Sequence, residues 1–121
     1  MTIKTDPSLD GLFRAISFQI AGIAVSLLAN SANFALILFA DTRGHEIALC
    51  VPIIATALFT FVWGDATLQS QVANIKDASV ETRDSHAYRF ISKQPYSLLR
   101  LMNFVLAAAL ATSQFSILFS E

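Results

Sequence analysis

His45, His86 and Cys50 are the side chains of this sequence best suited to ligate a metal or to act as base or nucleophile, and their placement decides how much chemistry the chain supports. His86 follows Asp84 and Ser85, which gives the composition of a catalytic triad. Three contiguous residues cannot converge as orienter, nucleophile and base, however, so the cluster carries no hydrolytic reading. Asp41, His45 and Glu46 form a second group, with oxygen and imidazole donors suited to a divalent cation but no spacing that dictates a geometry. A lone imidazole at His45 could also serve as single axial ligand to a porphyrin or chlorophyll. Cys50 is the only cysteine, which rules out an intrachain disulfide and a cysteine-based metal cluster.

No glycine-rich phosphate loop occurs. None of Asn30, Asn33, Asn74 and Asn103 is followed two places later by Ser or Thr, so there is no N-glycosylation acceptor. Lys76, Arg83, Arg89 and Lys93 alternate with Asp77, Glu81 and Asp84, a mixed solvated face rather than a nucleic-acid surface. The expectation is a protein that is not an enzyme, with no metal site, no nucleic-acid partner and no cofactor evident, His45 being the one candidate for cofactor binding.

The elements that hold these residues follow from charge. Only 14% of the 121 residues are charged and 55% are apolar, against roughly 25% charged in soluble domains. The charges leave three free windows, Ala15 to Ala40, Ile47 to Gly64 and Leu101 to Ser120. Each approaches or exceeds the roughly 20 residues with which a helix crosses about 30 Å of hydrocarbon. The runs are continuous rather than alternating, which excludes a barrel, and they lack the polar outer faces of soluble helices. The first run continues apolar through Ala40, past the small-residue pattern at 29–32, so it reads as a span and not as a cleaved leader.

The expected fold is an all-α membrane protein, a single integral domain over residues 1–121. Its three transmembrane helices lie at about 15–40, 46–64 and 98–119, with a cytoplasmic segment at 65–96. Residues 1–10 are read as surface chain ahead of the first helix. Leu68, Val72 and Ile75 recur at helical spacing, which predicts an amphipathic helix from about Ala66 to Thr82 between spans two and three, either continuing span two into the cytoplasm or lying along the bilayer surface. Pro52 should kink span two and leave the Ala48 carbonyl without its helical partner, and Pro95 fits the first turn of span three.

Lys4, Arg14, Lys76, Arg83, Arg89, Lys93 and Arg100 fall on one side of such a topology, and only Arg43 on the other. The positive-inside rule then places the N-terminus and the 65–96 segment in the cytoplasm and Glu121 outside, in an inner or cytoplasmic membrane. Trp63, Tyr88 and Tyr96 stand where interfacial aromatics belong.

The spans are not uniformly apolar. Ala15, Gln19, Gly22, Ser26, Asn30 and Asn33 share one face of span one; Ala48, Pro52, Thr56, Thr60 and Gly64 step by four along span two; Asn103, Ala107, Ala111 and Gln114 line span three. Small and amide residues let membrane helices approach closely and hydrogen-bond across the interface. Gln19, Asn30, Asn33, Asn103 and Gln114 are many amides for one small bundle, which points to contacts beyond the monomer or to a wetted interior. No ionisable residue lies at mid-span, an argument against a pump or a proton-coupled carrier. The leading expectation is a small accessory or structural subunit of a larger membrane protein complex, whose partners are other membrane subunits or copies of itself. The alternatives are a homo-oligomeric pore lined by the amides and a pigment- or quinone-associated subunit.

Overall fold

The computed structural model describes residues 7–120 and is all-helical. Lys4, Asp6 and Glu121 lie outside the described residues. Helix α1 spans Pro7–Phe39, α2 Glu46–Lys76, α3 Val80–Arg83, α4 His86–Ser92 and α5 Tyr96–Leu118. Helices α1, α2 and α5 are each long and apolar enough to cross a membrane.

Helix α1 begins at Pro7, earlier than the polar composition of residues 1–10 suggests. Asp10 in the first turn favours the helix dipole. Asp10 also pairs with Arg14 one turn on, at 3.3 Å. The apolar run stops at a tight turn. Asp41 Oδ1 accepts the Arg43 N–H at 3.3 Å, the His45 N–H donates to the Thr42 carbonyl at 3.0 Å, and Gly44 takes a φ of 79°, a value that suits glycine because it has no Cβ.

Helix α2 runs unbroken from the turn through Pro52 and past Gly64 to Lys76. The charge at Asp65, which sets the end of span two in the sequence, does not end the helix, because no glycine or proline follows it before Lys76. The amphipathic helix expected over 66–82 is therefore divided. Residues 66–76 continue α2, Asp77 caps its C-terminus, and the chain restarts at Ser79 and again at Ser85. Ser79 Oγ accepts the Thr82 N–H and Ser85 Oγ the Tyr88 N–H, both at 3.1 Å. Such caps are worth about 1 kcal/mol each. Ser79→Ala and Ser85→Ala should thus speed amide exchange at Thr82 and Tyr88 without touching α1, α2 or α5, as hydrogen-exchange mass spectrometry would show.

At 1.5 Å per residue, α1 is about 50 Å long and α2 about 46 Å, well beyond the roughly 30 Å of a hydrocarbon core. Their excess lies at one end, where Leu12 and Leu68 are buried. The short helices fold against that same end through Ala78, Thr82 and Ile91, and the Tyr96 hydroxyl donates to the Ile91 carbonyl at 2.8 Å. At the other end Ile37, Ile53 and Leu118 form an apolar plug.

Between the ends, the buried positions repeat by seven: Ile53, Thr60 and Thr67 on α2, and Ala107 and Gln114 on α5. A strict seven-residue spacing is the signature of left-handed, knobs-into-holes crossing, the common geometry of membrane bundles.

Candidate functional site

The small and polar residues of the three spans meet one another along the bundle axis. Nearest the apolar plug, Gln114 is 1% exposed and joins both asparagines of α1. Its Nε2 donates to Asn30 Oδ1 at 2.7 Å and its Oε1 accepts from Asn33 Nδ2 at 3.1 Å. Asn33 Nδ2 also reaches Thr56 Oγ1 at 3.1 Å and the Pro52 carbonyl at 3.5 Å, while Asn30 Nδ2 donates to the Ser26 carbonyl at 2.8 Å. One turn further, Thr60 Oγ1 donates to Ser26 Oγ at 3.2 Å.

Below this comes a pair of glycine seats. Gly22 is covered by the indole of Trp63, whose Nε1 donates to the Phe18 carbonyl at 2.8 Å. Gly64 is covered by the Asn103 amide, whose Nδ2 donates to the Phe61 carbonyl at 3.1 Å. A Cβ on Gly22 would lie 2.0 Å from Trp63 Cδ1, and one on Gly64 would lie 2.3 Å from Asn103 Oδ1. These positions therefore require glycine for close approach, not for backbone freedom. Next to them Gln71 Nε2 donates to Gln19 Oε1, and at the end of the bundle Asn74 Nδ2 donates to the Gly11 carbonyl at 3.2 Å. Ala107 is buried and Ala111 packs on the apolar plug.

The amides singled out in the sequence thus have partners within the chain, and among the described residues no buried side-chain nitrogen or oxygen lacks one. Their number alone consequently no longer argues for contacts outside the monomer. Several of the contacts have no signal in the sequence: those of Gln71 and Asn74, and the Asp65–Arg100 pair. Arg100 Nε and Nη2 reach Asp65 Oδ1 and Oδ2 at 2.6 and 3.3 Å, and Gln69 Nε2 holds Oδ2 at 2.7 Å. Helical periodicity identifies a face but not which residues meet across 35 positions of chain.

The chemically capable residues stay apart. His45 is exposed at the start of α2 and His86 is exposed at the start of α4, at opposite ends of the bundle. No group of three metal-ligating side chains occurs among the described residues. Ser85 is committed as a cap, and its Oγ also donates to the Thr82 carbonyl at 2.7 Å. Cys50 Sγ lies 3.3 Å from the Glu46 carbonyl beside the apolar plug.

Helices α1 and α5 touch through the Asn30–Gln114–Asn33 junction and stand apart over the half of the bundle nearer α3 and α4. Between them, with α2 as its floor, opens a cleft of about 450 Å³. Ile23, Leu27, Leu99, Met102 and Leu106 form its walls, and Trp63 and Gly64 lie in its floor. Comparison with known proteins found no matching family model, no matching curated protein and no matching solved structure.

A second surface lies on the outside of α5. Ala108, Ala109, Thr112, Ser113 and Ser116 are exposed there and line a shallow groove. Thr112 Oγ1 donates to the Ala108 carbonyl at 2.7 Å, whereas neither Ser113 nor Ser116 has a side-chain hydrogen bond among the described residues.

Proposed function

We propose that this protein is a non-catalytic, multi-pass accessory subunit of a larger membrane complex, and that α5 carries its contact with a neighbouring membrane span. The supporting observation is the outer face of α5. Each amide of the inner faces has a partner within the bundle, yet the chain presents a further small and hydroxyl-bearing face, Ala108, Ala109, Thr112, Ser113 and Ser116, away from its own helices. In lipid an unpaired hydroxyl is costly, and small residues gain most when a second helix packs closely on them.

The basic residues Arg14, Lys76, Arg83, Arg89, Lys93 and Arg100 gather toward the end that bears α3 and α4, with only Arg43 at the opposite turn. By the positive-inside rule that end is cytoplasmic, and α3 and α4 form a cytoplasmic collar. The exposed Phe90, between Arg89 and the neighbouring Lys93, suits an interfacial anchor. The pore reading is less well supported, because the amides that would line water bond to one another across the bundle.

Native mass spectrometry of the tagged protein, extracted gently from its own membrane, tests the proposal. The expected result is an unrelated chain bound in fixed ratio and lost in Ala109→Leu/Ser113→Leu. Recovery of the monomer alone would refute it.

A further inference from the structure

We propose that the cleft between α1 and α5 is a binding site for a neutral lipid, one hydrocarbon or isoprenoid chain carrying an uncharged carbonyl or hydroxyl head. Three features of the cleft point to this ligand class.

The first is its length. Its walls run from Gln19 to Asn30 on α1 and from Leu99 to Leu110 on α5, about 17 Å at the helical rise. That is roughly half of a hydrocarbon core. The junction of Asn30 with Gln114 closes the cleft at its deep end. A partner helix lying in the cleft would run into that junction halfway along its course, whereas a lipid chain ends within one leaflet.

The second feature is its lining. Among the described residues no charged or titratable side chain lines the cleft; its walls are aliphatic, and its polar groups are amides, hydroxyls and the Trp63 indole. An anionic head group would find no cation there, so a fatty acid or a phospholipid head is disfavoured. A volume of about 450 Å³ lies within the usual range for small-molecule sites.

Unused hydrogen-bonding capacity is the third. Gln19 Oε1 is taken by Gln71, but Gln19 Nε2 donates to nothing among the described residues, and Asn103 Oδ1 accepts from nothing. Both residues line the half of the cleft nearer α3 and α4, one offering a donor and the other an acceptor to a neutral head. Ser26 and Thr60, deeper in, are bonded to each other and leave the tail a largely apolar path.

Photolabelling tests the site. The purified protein is reconstituted in phosphatidylcholine vesicles with a diazirine-bearing long-chain alcohol, and labelled residues are located by peptide mass spectrometry. Labelling is expected to concentrate on the cleft walls between Gln19 and Asn30 and between Leu99 and Leu110. Excess unlabelled alcohol should displace it, and it should fall about tenfold in Leu106→Trp, whose indole would occupy the same volume. Met102→Trp serves if Leu106→Trp does not fold. Labelling spread evenly over the lipid-facing residues, equal labelling in the filled variant, stronger labelling by a diazirine fatty acid than by the alcohol, or cross-links to a second protein chain would each overturn the proposal.

Discussion

Gly22→Ala is expected to destabilise the bundle by about 2–3 kcal/mol, more than any other single methyl added to α1. The new Cβ would lie 2.0 and 2.1 Å from Cδ1 and Nε1 of Trp63, far inside van der Waals contact. The obstacle is a rigid ring rather than the end of a flexible chain, so the indole must move as a unit. In moving it gives up its bond to the Phe18 carbonyl at 2.8 Å and its stacking on Phe59 at a centroid distance of 5.5 Å. Trp63 is the only tryptophan, so reversible unfolding in mixed micelles can be followed by its own fluorescence. In Trp63→Ala, followed by circular dichroism, the added methyl should cost little, because the space is then open. A coupling between the two sites of less than about 0.5 kcal/mol would show that the ring does not seat on Gly22.

Gly22 also marks how far the sequence could be read. Its place on a small-residue face is legible, since Gln19, Gly22, Ser26, Asn30 and Asn33 follow helical spacing in a run free of charge. That Trp63 fills the gap is not. The tryptophan reads equally well as an interfacial residue closing span two, and in the structure it turns inward across α1. The three spans were legible for a plain reason: in lipid the backbone must satisfy itself, so a long uncharged run has essentially one solution.

Helix ends were harder. Asp65 marks the edge of the charge-free run, but Arg100 neutralises it, Gln69 holds it, and α2 carries on for about three more turns. Beyond Lys76 the continuous amphipathic pattern hid two serine caps, because apolar residues at helical spacing do not reveal where a hydroxyl takes over a backbone N–H. The abundance of amides was visible as well, yet its meaning depended on register between helices. Asn30 and Asn33 are each separated from Gln114 by more than eighty residues of chain, and only the packed bundle brings them together.

That junction carries the second large effect. Gln114→Leu keeps the volume and removes the bonds, leaving Asn30 Oδ1 unpaired at a position where Asn30 is only 7% exposed. Asn33 keeps Thr56 and the Pro52 carbonyl, so its loss is smaller. Interhelical bonds in membranes average about 0.6 kcal/mol and reach about 2, and a stranded acceptor costs about 1–3 kcal/mol. Together these give an expected destabilisation of about 2–3 kcal/mol in the same micelle titration. Asn30→Leu alone should cost about as much, because Gln114 Oε1 keeps Asn33 but Gln114 Nε2 is stranded at a residue only 1% exposed. The double variant Asn30→Leu/Gln114→Leu should recover part of the Gln114→Leu loss, since replacing both partners by apolar groups removes the orphan along with the bond. If Gln114→Leu instead left stability unchanged, Asn30 would have to be satisfied by something other than this chain, and the dry, self-contained junction would be wrong. Because the junction also closes the deep end of the cleft, Gln114→Leu should extend diazirine labelling on α5 past Leu110, a readout that loss of stability in an otherwise intact bundle would not produce.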